Sequence, residues 1–289
     1  KENDFNVPNA KGYSSKEEAL ADTACYNWPV IVKPVDSAGS KGVTRVDEFS
    51  QLSSAIDYAL SESHNGHFII EDFLEKEGNS SDCDSFTVDG ELVFCSFNDQ
   101  HFDPQAINPY TPAAFSWPST MPQWAQEELR SELQRLMTLL NVKTGVYNIE
   151  TRLCKNGKPY IMELSPRGGG NRLSEIMKYV SGQDLIDNCV RAAVGDHIDE
   201  IHQPIYEGYW AEIILHSECD GVFQSIEIDK TVEERFLIEK DIWVKAGEKV
   251  QGFTGANTTI GTLLLNFDKN AEMFFCIQKL YNWIVINTK

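Results

Sequence analysis

Apolar positions along the chain switch between the helical and the strand period, and the switches mark the elements. Ser15 and Glu18 have the spacing of a capping box, which predicts a helix over 15–27. The run Trp28-Pro29-Val30-Ile31-Val32-Lys33 reads as a short apolar strand stopped by Pro34. Gly42–Val46 predicts a second strand and Phe68–Ile70 a third. Between them Leu52, Ala55, Ile56, Ala59 and Leu60 recur at helical spacing, with Asp47 as the candidate cap. Residues 1–75 therefore read as a small α+β unit with a Gly-containing loop between its first two strands.

Two hairpins follow. Phe86–Val88 and Leu92–Phe94 flank Asp89-Gly90, and Gly145–Cys154 and Pro159–Ser165 flank Asn156-Gly157. Both dipeptides suit a tight two-residue turn because they tolerate positive φ. Leu129, Leu133, Leu136 and Leu140 stripe one face of a helix between the hairpins. Residues 99–123, rich in Pro and aromatics, predict a long irregular excursion of the kind that often carries function. Leu173, Ile176, Met177 and Val180 mark a further helix, and Ile186, Cys189, Val190, Ala193 and Val194 another, closed by Gly195. After Pro204 and Gly208, strands over 209–216, 222–228 and 262–265 and a helix from 271 predict a C-terminal subdomain. The expected division is 1–75, 76–205 and 206–289.

Composition narrows the function. The net charge of −19 argues against a nucleic-acid surface, which needs a basic patch. No run of about 18 apolar residues predicts a membrane span, and the expected location is cytoplasmic. The seven cysteines form no C-x-x-C pair and read as reduced, mostly buried thiols.

The second hairpin carries the sharpest expectation. A two-residue turn at Asn156-Gly157 sets Glu150 opposite Glu163 and Asn148 opposite Ser165 on one face. It sets Ile149, Thr151 and Leu153 against Leu164, Met162 and Tyr160 on the other. Opposed like charges destabilise a sheet. A hard divalent cation would neutralise the pair, since Mg²⁺ takes one or two carboxylates with phosphate and water oxygens. The alternatives are a solvated face or neutralisation of Glu150 by Arg152. Directly afterwards, Pro166-Arg167-Gly168-Gly169-Gly170-Asn171-Arg172 combines three glycines, able to form an anion-binding nest, with two planar cations. A second small-residue loop, Ser37-Ala38-Gly39-Ser40-Lys41-Gly42, follows Lys33-Pro34 and would let a phosphate approach the backbone.

Taken together, Val30–Pro34, Ser37–Val43, Ile69–Leu74, Asn148–Glu150 and Ile161–Arg167, in this order and spacing, resemble the ATP-grasp superfamily. The resemblance covers about residues 5–200, and the C-terminal part looks like the end domain of carboxylase-like and amino-acid-ligase members. It implies an α+β ATP-grasp fold, ATP and Mg²⁺ (or Mn²⁺) as cofactors, and a ligase related to biotin carboxylase and carbamoyl-phosphate synthase. Such an enzyme activates a carboxylate as an acyl phosphate for attack by an amine. Position by position it implies that Lys33 contacts the ATP phosphates and that the loop with Gly39, Ser40 and Lys41 closes over them. Glu71, Asp72, Phe73 and Leu74 fall at the adenine hinge, with Glu77 the candidate for the ribose. Glu150 and Glu163 match the metal ligands, joined by Ser165 where the family usually has Asn. Arg167 steadies the transferring phosphate, and Arg167, Gly169, Asn171 and Arg172 face the substrate. ATP is expected between the 1–75 lid and the following core. Other readings are a bicarbonate-activating enzyme and a non-catalytic ATP-binding module. Expected partners are small-molecule carboxylates and amines, without nucleic acid or membrane, and a second copy in a homodimer. The family's N-terminal domain has no counterpart after residue 1 and is expected from the full-length chain or a separate one.

Overall fold

The computed structural model describes residues 2–22, 24, 26–37 and 41–289. They gather into two compact units, Lys1–Glu75 and Lys76–Lys289.

The first unit runs β1 (Ala10–Tyr13), α1 (Lys16–Ala21), β2 (Val30–Pro34), β3 (Thr44–Val46), α2 (Phe49–Glu62) and β4 (Phe68–Asp72). Its strands form an antiparallel sheet in the order β1-β4-β2-β3. Alternation along β2 and β4 turns Val30, Val32, Phe68 and Ile70 to one face, where they pack with Leu52, Ala55, Ile56 and Ala59. Ser15 Oγ accepts from the Glu18 N–H at 3.2 Å, as its spacing predicts. Helix α1 ends at Ala21, shorter than expected; Thr23 and Cys25 lie outside the described residues. Asp47 is not the cap of α2. Glu48 holds that position without a side-chain bond, and Gln51 Oε1 accepts from the Asp47 N–H instead. Pro34 is the last residue of β2 rather than the stop after it. Strand β1 carries too little apolar pattern to be foreseen.

The second unit begins with β5 (Ser81–Val88), β6 (Glu91–Cys95), β7 (Asp99–Phe102), β8 (Pro112–Trp117), α3 (Gln123–Leu139), β9 (Gly145–Leu153) and β10 (Pro159–Ser165). It continues with α4 (Leu173–Ser181), α5 (Leu185–Val194), β11 (Tyr209–Leu215), β12 (Gly221–Ile228), α6 (Lys230–Phe236) and β13 (Leu237–Ile242). It closes with β14 (Lys249–Val250), β15 (Gly261–Phe267), α7 (Asn270–Gln278) and β16 (Ile284–Thr288). The sheets are β10-β9-β5-β6, β13-β15-β11-β8-β7 and β14-β12-β16. One core lies under α3, where Leu129, Leu133 and Met137 meet Cys83, Ile149 and Leu153. A second joins Phe86 and Phe94 to Phe115, Trp117, Met177 and Ile214. A third gathers Ile213, Leu215, Leu263, Met273 and Ile284.

Three expectations change here. The segment 99–123 is not irregular, because β7 and β8 lie within it. Ala113–Trp117 is buried on both faces, so its sequence shows no alternation. The buried stripe of α3 is Ala125, Leu129, Leu133 and Met137; Leu140 is its C-cap and is exposed. Helix α5 buries Leu185 and Asn188 and turns Ile186, Val190 and Val194 outward.

In the second hairpin, Glu150 pairs Glu163, Ile149 pairs Leu164 and Asn148 pairs Ser165, as expected. The turn differs. Cys154 N–H donates to Lys158 O and Gly157 N–H to Cys154 O, with Gly157 at φ 74°, which makes a three-residue loop. That shifts the first pairs, so Thr151 faces Ile161 and Leu153 faces Pro159. The irregularity between Ile161 and Glu163 leaves Met162 unpaired and restores the register at the glutamates. The Asp89-Gly90 turn is the two-residue kind, both residues having positive φ.

Leu133→Ala should cost about 2–5 kcal/mol in denaturant unfolding, because the site is sealed, whereas Leu140→Ala should change stability by under ~0.5 kcal/mol. A second expectation concerns acid. Burial pushes the β7 residue His101 down to about 4, with Lys76 adding to the shift and Asp99 opposing it. Its Nε2 lies 2.8 Å from Ser116 Oγ. A depressed histidine contributes stability above its unfolded value near 6.5, and loses it as pH falls toward 4. The Tm of His101→Gln should therefore fall less than that of the parent between these pH values.

Candidate functional site

The face that carries Glu150 extends over three strands. Because β9 pairs with both β10 and β5, Glu150 stands between Glu163 on one side and Asp82 on the other. One step along, Asn148 stands between Ser165 and Asp84. Asp82 and Asp84 were not among the expected site residues. Both lie in β5, and the period-two spacing Asp82-x-Asp84 was the available signal.

The electrostatics show the strain of this grouping. Asp82 is pushed up to about 7, first by burial and then by the charge of Glu150. Asn148 Nδ2 donates to Asp82 Oδ1 at 2.6 Å and to Asp84 Oδ1 at 3.2 Å. Arg152 approaches Glu150 Oε1 at 3.6 Å while its Nε donates to Ser80 Oγ at 3.1 Å. Ser165 Oγ donates to Glu163 Oε1 at 2.9 Å and fixes that carboxylate. Among the described residues no three His, Cys, Asp or Glu side chains form a ready metal cage. Two neighbouring carboxylates in an acid-rich row do fit Mg²⁺, which completes its shell with water and phosphate oxygens.

Asp84 ties this row to the glycine turn. Its carboxylate accepts from the Gly169 N–H at 2.8 Å and from Ser174 Oγ. Burial still raises Asp84 above the ordinary carboxylate range, against those donors. The Gly169 N–H, expected to help cradle an outside anion, is therefore held by an internal carboxylate. A Cβ on Gly168 would sit 2.2 Å from Ser174 Oγ, and one on Gly169 2.6 Å from Leu173 Cδ2. Arg167 Nη1 donates to Gly168 O at 2.8 Å, and the residue is exposed at the end of β10. Asn171 Oδ1 accepts from Thr259 Oγ1 at 3.3 Å. Arg172 differs from the expectation: it pairs with Glu175, Glu239 and Asp241 at 2.5, 3.0 and 3.0 Å. Those three carboxylates tie the start of α4 to β13, so its charge is spent within the protein. Glu212, also missed, is fully buried on β11 with no hydrogen-bond partner on either oxygen, and burial raises it well above the carboxylate range.

In the first unit, Lys33 on β2 forms an ion pair with Glu71 on β4, two register positions along the ladder and on the same face. Asp72 accepts from Asn9 Nδ2 at 2.8 Å. The Phe73 N–H donates to Pro29 O at 3.1 Å, and its ring lies 4.5 Å beneath the Arg45 guanidinium. Lys41 is exposed; Gly39 and Ser40 lie outside the described residues. Glu77, at the start of the second unit, donates its N–H to Leu153 O at 2.8 Å and exposes its side chain.

A family model described as the ATP-grasp domain matches residues 26–175. That is over half the chain, and the chain belongs to this family. By sequence it is similar to the C-terminal section of the carbamoyl phosphate synthase large chain of Aquifex aeolicus (strain VF5), 26% identical over 197 residues. The match takes in 67% of this chain but spans only 35% of that relative's length. By fold it is similar to an L-amino acid ligase from Bacillus licheniformis, with a TM-score of 0.79 at 19% identity, over 100% of this chain and 69% of that one. It is also similar to the biotin carboxylase domain of the 2-oxoglutarate carboxylase of Hydrogenobacter thermophilus, solved with MgADP and bicarbonate, with a TM-score of 0.74 at 15% identity. That match covers 98% of this chain and 63% of the other. Among the described residues no helix is long and apolar enough to cross a membrane.

Gly168→Ala should lower stability by about 1–3 kcal/mol, because the new methyl must displace Ser174 from Asp84. Gly170→Ala, whose Cβ meets nothing within 4 Å, is the matched control in thermal unfolding.

Proposed function

We propose that this chain is the nucleotide- and metal-binding part of an ATP-dependent ligase, which converts a carboxylate to an acyl phosphate and joins it to an amine. The observation that carries the reading is the acid row Asp82–Glu150–Glu163 with the exposed Arg167 just beyond the end of β10. Glu150 and Glu163 would hold a divalent cation, which would supply the positive charge that the row and a triphosphate lack. Ser165 keeps Glu163 oriented through its hydroxyl. Arg167 meets the charge of the transferred phosphoryl group with planar donors. Lys33 exchanges its Glu71 partner for a phosphate. Residues 71–74 hold the base and Glu77 the ribose. Phosphoryl transfer of this kind needs little covalent help from the protein, so position and charge do most of the work. In this reading 1–75 is the lid, 76–205 the catalytic core and 206–289 the C-terminal subdomain. The carbamoyl phosphate synthase relative supports a second reading in which bicarbonate is the activated carboxylate.

Calorimetry on the full-length protein tests the first step. Glu163→Gln should weaken Mg-ATP binding at least ~10-fold, the scale of losing one charged ligand. Unchanged affinity would remove Glu163 from the metal site. ATP-dependent phosphate release with paired amino acids, set against bicarbonate with ammonia or biotin, separates the two readings.

A further inference from the structure

The second unit contains a cavity of about 740 Å³, within the range that small molecules occupy. One wall is apolar, formed by Ile213 and Leu215 of β11, Ile277 of α7, Leu280, and Ile284 of β16. The lining also carries Lys76, Asp103 and Glu218, together with His101 and His216. Asp103 is engaged internally. It accepts from the Gln105 N–H at 2.9 Å and from Tyr281, and it lies 3.1 Å from His216 Nε2. Burial keeps His101 uncharged near neutral pH, and its Nε2 is bonded to Ser116. Glu218 is exposed, where water and salt screen its charge.

Lys76 has a different setting. It bridges Cys154, the residue after β9. Glu150, Arg152 and Cys154 share one face by alternation, so Lys76 lies on the face of the acid row. From there its Nζ reaches over the Phe102 ring, 4.8 Å from the centroid, and both residues line the cavity. Among the described residues no carboxylate lies within ion-pair distance of it. Burial lowers the proton affinity of Lys76, Arg152 adds to the shift, and Glu150 opposes it. A partly desolvated ammonium beside another cation is a group that a bound anion improves.

We infer that this cavity takes the carboxylate substrate of the proposed ligase, and that this substrate is a monocarboxylate with an apolar body, its carboxylate on Lys76 and its body along the wall of β11, α7 and β16. A single acid group fits because the other charged side chains of the lining are acids. The inference rests on the ligase reading and narrows it, since bicarbonate has no body for that wall to hold. Lys76, on the face of the acid row, sets the charged end of the ligand toward the carboxylates proposed to hold the metal.

Hexanoate, 1-hexanol and acetate serve as probes in ligand-detected NMR titrations of the full-length protein without nucleotide. Hexanoate should bind about 5-fold more tightly than hexanol, the worth of one charge-assisted hydrogen bond, and about 10-fold more tightly than acetate, which lacks the body. Lys76→Met should abolish the preference for hexanoate over hexanol, and Lys76→Gln repeats the comparison should that variant not fold. Magnesium with β,γ-methylene-ATP should not displace hexanoate. Failure of hexanoate to bind, no preference over hexanol or acetate, or a preference over hexanol that survives loss of the lysine overturns the inference. So does displacement by the nucleotide analogue, which would assign the cavity to the nucleotide. Intact Lys76-dependent binding, with no ATP-dependent phosphate release from any pairing of carboxylate and amine, would instead sink the ligase reading and leave a carboxylate-binding site.

Discussion

The repulsion among Asp82, Glu150 and Glu163 is the constraint on which the site rests. Carboxylates in neighbouring register positions disfavour the folded sheet. Here they cannot move apart, because the opposite side of the same strands is fixed by packing. Ile149, Cys83 and Leu153 are locked under α3, and a shift of one residue in β9 would throw them into the acidic face. Packing on one side thus holds charge together on the other. The protein relieves the strain only in part. Asn148 bridges Asp82 to Asp84, Arg152 approaches Glu150 at 3.6 Å, and burial with the charge of Glu150 raises the proton affinity of Asp82. A site that remains electrostatically uncomfortable when empty is one that a cation can improve.

Asp84 and the glycine turn convert that row into a positioned site. Asp84 spans β5, Gly169 and Ser174 at the start of α4, so the strand end, the turn and the helix form one joint. Gly168 is required there because Ser174 fills the space a side chain would need. The two arginines of the turn consequently have different fates. Arg172 lies at the helix start in a left-handed conformation, φ 67°, and reaches three carboxylates, two of them on β13. Arg167 lies on the strand side, where it donates to the neighbouring Gly168 carbonyl. Composition treats the two as equals; the joint at Asp84 separates them.

Much of this was legible because glutamates on paired strands must share a face once the register is right. The pairing of Glu150 with Glu163 followed from the sequence although the turn was misjudged. A three-residue loop and the bulge at Met162 each displace the register by one, and they cancel. Local turn chemistry is visible in Asn156-Gly157, but a bulge depends on how β10 packs, which no dipeptide reveals. β7 and β8 escaped notice because Ala113–Trp117 is covered on both faces, and pattern reading needs one face in water. Asp82 and Asp84 escaped because β5 pairs with β9 across more than sixty residues, a contact that spacing along the chain does not show.

A chain with a net charge of −19 and an acidic row at its centre is a poor receptor for a bare polyanion. The same row favours a metal-bound one. In the proposed reading, cation and polyphosphate would each cancel a repulsion that the other would meet alone, the cation against Glu150 and Glu163, the phosphates against the acidic face. Binding of the two is therefore coupled by charge, and the affinity for either should depend on the presence of the other. In the proposed reading Arg167, exposed just beyond the row and bonded to the Gly168 carbonyl, would give charge developing on a transferred group a local counterpart. Under the proposed ligase reading, the acids that make the empty site unfavourable are what make it selective for the metal complex over free nucleotide.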